Sequence, residues 1–206
     1  MVNKTQRLTV TGIMIALGTV LSIITIFRLP YGGEITLFGM VPILLTGYLF
    51  GVKWGIASGA VFGIIQGLLG ATMSGAFIGQ RVSGVIAVMA IDYIIAFAVL
   101  GFSGIFKNKI IKTTPSFVLG CVFAIFLRFC AHFVSGVIIW GSYAQSTLEA
   151  VHNSLSTAIL TNFTGTGLAA VYSLAYNASF MLPEMLLSVF AAVIIINVKS
   201  VSRLAE

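Results

Sequence analysis

Six stretches of this chain are apolar, long and free of the in-out alternation of a half-buried strand; they fall near residues 8–27, 35–50, 54–71, 82–106, 117–140 and 181–198. A helix needs about 20 mostly apolar residues to cross a bilayer, and a membrane strand about 10 of alternating polarity. The runs fit helices. A soluble fold would also need a polar skin, with roughly a quarter of its residues charged. Here only 8% are charged against 59% apolar. Cytosolic enzymes and nucleic-acid-binding domains are excluded on that ground. The sequence therefore predicts an all-α polytopic membrane protein, a single integral-membrane domain over 1–206 with six transmembrane helices. The second span is short and carries Pro42. The first follows Lys4 and Arg7, but its apolar run is too long for the core of a cleaved leader and no small-residue cleavage site precedes the next span, so it reads as a retained helix.

Sidedness comes from lysine and arginine, which cytoplasmic loops keep and short translocated loops lose. With the N-terminus inside, Lys4, Arg7, Lys53, Lys107, Lys109, Lys112, Lys199 and Arg203 fall inside, while Arg28 and Arg81 fall outside. Both ends are then basic and cytoplasmic, as an even number of spans requires. The net charge of +6 reports topology, not affinity for nucleic acid. Residues 141–180 hold no lysine or arginine and are expected to be extracellular. Within them Leu148, Val151, Leu155 and Ile159 recur at helical spacing over a stretch too short to cross, which predicts a surface-lying helix.

Most chemistry is absent from the pattern. No G-x-x-x-x-G-K-[ST] loop or G-x-S-x-G elbow occurs, so the chain encodes neither ATP hydrolysis nor serine hydrolysis. It reads as a non-enzyme without cofactor. His132 and His152 lack ligands at metal spacing. Cys121 and Cys130, nine residues apart on one helix, fall on opposite faces and read as small buried hydrophobes.

What remains is polar groups at membrane depth, where an ionisable side chain is costly unless paired or functional. Asp92 lies in VMAIDYIIAF of span four; Arg128 and His132 lie in FLRFCAHFVSG of span five, one turn apart on one face. Helical rise puts Asp92 about 14 Å below the outer end of its span and Arg128 about 18 Å above the inner end of the next, at about the same level. A structural Asp92–Arg128 ion pair is one reading. The other is a site, since Tyr93, Trp140, Tyr143, Tyr172, Tyr176 and Asn177 gather on the same outer half. Aromatic faces, a carboxylate, a histidine and an amide suit a flat, nitrogen-rich cation.

These residues sit in strings that resemble a known family: the thiamine-specific S components of energy-coupling factor (ECF) vitamin transporters of bacteria. The strings are LPYGGEITLFGMVPILL, GVKWG, IDYIIAF, RFCAHFVSGVIIWGSYA and YSLAYNASFMLPE, and they run over most of the chain. The resemblance implies a multi-pass plasma-membrane subunit that captures thiamine from outside. Its ligand-binding positions would be Asp92, Tyr93, His132, Trp140, Tyr172 and Asn177. It also implies partners, a membrane coupling protein and two cytoplasmic ATPase subunits, docked on span one through the small-xxx-small pair Gly12 and Ala16; Gly18 and Ser22 repeat the pattern. Asp92 stands where relatives often carry glutamate. A thiamine precursor, another vitamin, or a stand-alone proton-coupled carrier using Asp92, Arg128 and His132 stay open as alternatives.

Overall fold

The computed structural model describes residues 3–29, 33–110, 112–199, 201 and 204. Pro30, Tyr31 and Gly32 of the LPYGG string, and Arg203 of the basic set, lie outside the described residues. Helix α1 (Lys4–Ile23) is followed by an antiparallel hairpin, β1 (Thr25–Arg28) and β2 (Glu34–Thr36). Next come α2 (Val41–Phe50), α3 (Val52–Leu69, with a π turn at Gly70–Ser74), α4 (Val82–Gly104) and α5 (Thr113–Ile138). Two short helices, α6 (Ala144–Val151) and α7 (Ser154–Asn162), precede the long α8 (Gly165–Ile196).

Five of these helices are long and apolar enough to cross a membrane; α2, with ten residues, is not. The fold is mostly helical, as expected, but three boundaries move. The first apolar run stops being helical at Ile23, because Ile24, Thr25 and Ile26 form a β-branched run that favours extended backbone. The second run spends its start on β2, and Pro42 falls in the first turn of α2, where a missing N–H breaks no helical bond. The last run begins far earlier than residue 181: α8 is continuous from Gly165, so residues 165–180 belong to the same rod as the final span.

Helix α2 is the centre of the bundle. Val41 through Tyr48 are all buried, as expected of a helix apolar on every side. Its Ile43 and Leu44 share one core cluster with Phe62, Leu100, Phe117 and Ile125 from the surrounding helices. Close approach of α3 to α4 comes from glycines at every fourth position, Gly55, Gly59, Gly63 and Gly67. A Cβ at Gly59 would meet the Phe97 carbonyl, and one at Gly63 the Tyr93 carbonyl. Helix α5 approaches α4 in the same way at Gly120, whose Cβ would strike the Ser103 carbonyl. Gly120→Ala should therefore lower stability by about 1–3 kcal/mol through overpacking, read as a drop in melting temperature of the detergent-solubilised chain; an unchanged melting curve would show that α5 can slide.

One end of the bundle collects the basic residues. The Arg7 guanidinium lies 5.7 Å from the Phe50 ring and 5.5 Å from that of Trp54, bringing the start of α1 to the α2–α3 corner. Lys107 donates to the Leu49 carbonyl there at 3.3 Å. Thr114 and Asn197 join the start of α5 to the end of α8. Both described chain ends thus lie at the same end of the bundle. The opposite end carries the hairpin, α6 and α7.

Candidate functional site

At that opposite end α4 departs from regular helix. Residues Met89–Ile95 form a π segment, which places one more residue in the turn and often marks functional positions. Asp92 and Tyr93 lie within it. Asp92 meets three donors from α5 and the residues just beyond it: Ser135 Oγ at 2.7 Å and Trp140 Nε1 at 2.9 Å on one oxygen, His132 Nδ1 at 3.1 Å on the other. His132 and Ser135 are three apart on α5 and share a face. With Nδ1–H donating to the carboxylate, the neutral ring keeps Nε2 as an acceptor. Nε2 is buried and without a partner among the described residues.

Asp92, Tyr93, His132, Trp140, Tyr172, Tyr176 and Asn177 line one cavity of about 430 Å³. The size is that of a small-molecule site. All six positions named from the sequence reach it, although Tyr172 and Asn177 come from within α8 and not from a loop. Tyr172, Tyr176 and Phe180 form an aromatic ladder along α8, with ring centroids 5.8 and 5.7 Å apart. The Asn177 amide donates to the carbonyls of Ser173 at 2.9 Å and His132 at 3.3 Å, tying α8 to α5.

The segment expected as one surface helix is two, α6 and α7, turned at His152, whose backbone takes a left-handed φ of 45°. Leu148 and Ile159 from these helices pack on Leu168 and Tyr172, and Thr147 reaches the cavity wall. They cap it.

The Asp92–Arg128 pair is not formed. Asp92 is occupied by its three donors, and Arg128 turns instead to Glu184 on α8, Nη1 to Oε2 at 3.5 Å, with its guanidinium 4.5 Å from the Phe97 ring centroid. Glu184 was missed because a span drawn from residue 181 puts it at a helix end; it is in fact the acid in the middle of a 32-residue helix. Ser135 was missed too, though its spacing from His132 in HFVSG carried the signal. A second cavity of about 560 Å³ adjoins the first, sharing Tyr93, Phe97, Arg128 and Phe180, and is walled by the hairpin and Glu184.

The small-residue pairs of α1 separate. Gly18 is buried, and a Cβ there would lie 3.1 Å from the Gly39 carbonyl and 3.2 Å from Phe62. Gly12 has open space around it, and Ala16 is exposed.

Comparison with known proteins gives a family and a fold. The family described as thiamine transporter protein (Thia_YuaJ) matches residues 8–166. Thiamine transporter ThiT of Bacillus subtilis (strain 168) is 30% identical over 192 residues, covering 88% of this chain and 85% of that protein. The solved structure of ThiT from Listeria monocytogenes is similar in fold, with a TM-score of 0.68 at 24% identity over 98% of this chain and 99% of that one. With helices fit for a multi-pass bacterial plasma-membrane protein and transporters, not enzymes, as its relatives, the chain belongs to the thiamine transporter family.

Proposed function

We propose that this chain is the thiamine-capturing subunit of an ATP-driven ECF-type uptake transporter, binding its vitamin at the extracellular side. The observation that carries the reading is a half-buried carboxylate, Asp92, held by three donors in a chamber walled by Tyr93, Trp140, Tyr172 and Tyr176. Thiamine is an aminopyrimidine joined to a permanently cationic thiazolium. The Asp92 carboxylate and the aromatic faces stabilise the thiazolium, while the free Nε2 of His132 accepts from the aminopyrimidine N–H. Asn177 holds α5 and α8 at the spacing the rings need.

Sidedness supports capture from outside. The basic residues gather at the end away from the chamber, and by the positive-inside rule that end is cytoplasmic. Six spans with both termini inside follow if α2 counts as the second, its shortness offset by burial inside the bundle. The chain has no phosphate-binding loop of its own, so transport requires a membrane coupling protein and two cytoplasmic ATPase subunits.

The test is isothermal titration of the detergent-purified chain with thiamine. One-to-one saturable binding without any gradient is expected. The His132–Asp92 contact would also serve a proton-coupled carrier, and uptake that tracks an imposed pH gradient without any ATPase would select that reading. Trp140→Ala should weaken binding about 10-fold or more, the combined loss of a π face and a hydrogen bond to Asp92; unchanged affinity would reduce Trp140 to an interfacial aromatic.

A further inference from the structure

We infer that Glu184 determines ligand selectivity by neutralising Arg128, leaving Asp92 as the one uncompensated charge in the chamber wall. The inference rests on the chamber being the ligand site, but the observations behind it concern the wall between the two cavities.

Arg128 is 8% exposed and Glu184 5%. Arg128 lines both cavities and Glu184 only the second, so a ligand in the chamber meets Arg128 in the wall with Glu184 behind it. Arginine cannot give up its proton in a protein. Without a counter-charge its guanidinium would stand in a low-dielectric wall, oppose any cation entering the chamber, and compete with that cation for Asp92. With Glu184 in place the wall holds one positive and two negative charges, beside a neutral His132. The sum is one negative charge, which matches a monocation.

The geometry points to charge balance more than to a structural clamp. The Arg128–Glu184 contact is a single one at 3.5 Å, not the paired short bonds of a bidentate fork. The short bonds of Glu184 go elsewhere: its Oε1 accepts from the Thr36 backbone N–H at 3.0 Å and from Thr36 Oγ1 at 2.7 Å, fastening β2 to α8. A glutamine can keep both of these bonds while losing the charge. Arg128 Nη1 meets Met40 Sδ at 2.6 Å, and its Nε has no partner among the described residues. The guanidinium is therefore under-bonded, and its positive charge is balanced chiefly by Glu184.

The experiment compares dissociation constants for thiamine and for 3-deazathiamine, in which carbon replaces the thiazolium nitrogen and the positive charge is gone. Glu184→Gln should lower the preference for thiamine over the neutral analogue on the order of tenfold, the effect of one unit charge several Å away at the effective dielectric of a protein interior. Arg128→Met should raise that preference by a similar factor. The double variant, which removes both charges and spares the fold an unpaired ion, should return it to within about threefold of the wild-type value. Parallel losses for both ligands in all variants, or a preference that falls in Arg128→Met, would overturn the inference and leave an ordinary structural ion pair. Should Arg128→Met alone not fold, the contrast between Glu184→Gln and the double variant decides the matter. A wild-type chain that binds neither compound overturns the proposed function together with this inference, whereas wild-type thiamine binding with parallel losses overturns the inference alone.

Discussion

Asp92→Asn is expected to weaken thiamine binding by roughly a hundredfold or more, since truncating one member of a buried, hydrogen-bonded charge pair costs about 2–5 kcal/mol. Two effects contribute, and they differ in their dependence on the ligand. The lost charge removes the partner of the thiazolium, which a neutral analogue never used. The new amide also presents an NH2 group where the wild type presents only acceptors, and it must face either His132 Nδ1 or the donors Ser135 and Trp140. That second cost disorders the site for every ligand. Titration of the variant with thiamine and with 3-deazathiamine separates them: the cation should lose about tenfold more than the neutral compound. Equal losses would mean that Asp92 organises the pocket without reading charge.

Leucine at both Gly12 and Ala16 should leave thiamine affinity within about twofold and reduce uptake to under about a tenth, because a bulky pair blocks helix–helix approach but not lipid contact. The separation is possible because these two positions face outward. Gly12 has room for a side chain, unlike Gly18, where the Gly39 carbonyl and Phe62 already crowd the space. Titration in detergent gives the first quantity. Uptake by proteoliposomes that also contain the coupling protein and ATPases gives the second. Full uptake by the double variant would move the docking surface off this face of α1. Weakened binding would show that α1 shapes the chamber from behind.

Helical membrane architecture was legible in the sequence because apolar length alone dictates it, and the chamber residues were legible because Asp92 and His132 are costly at membrane depth. The hairpin was not, since an apolar β-branched stretch at a span end reads as more span. The start of α8 was hidden for the opposite reason: Tyr172, Ser173 and Asn177 lower the hydropathy of a helix that is nonetheless continuous, as their polar groups face α5 and the cavity. That misplaced boundary concealed Glu184 and left Arg128 with the wrong partner. The glycines of α3 stood at every fourth position in plain view, but only contact with α4 gives the spacing meaning.

The π segment of α4 makes the site a matter of counting as well as of chemistry. A π turn amounts to one residue inserted into an α-helix, with the chain on either side out of phase by about 100°. Delete one residue between Met89 and Ile95 without touching Asp92, and the helix regularises: either Asp92 swings off the chamber, or Phe97 and Leu100 swing out of the core. Every side chain of the site would still be written in the gene, and the pocket would be gone. In this helix phase is inherited alongside composition, so an indel in the segment should be far less tolerable than a substitution.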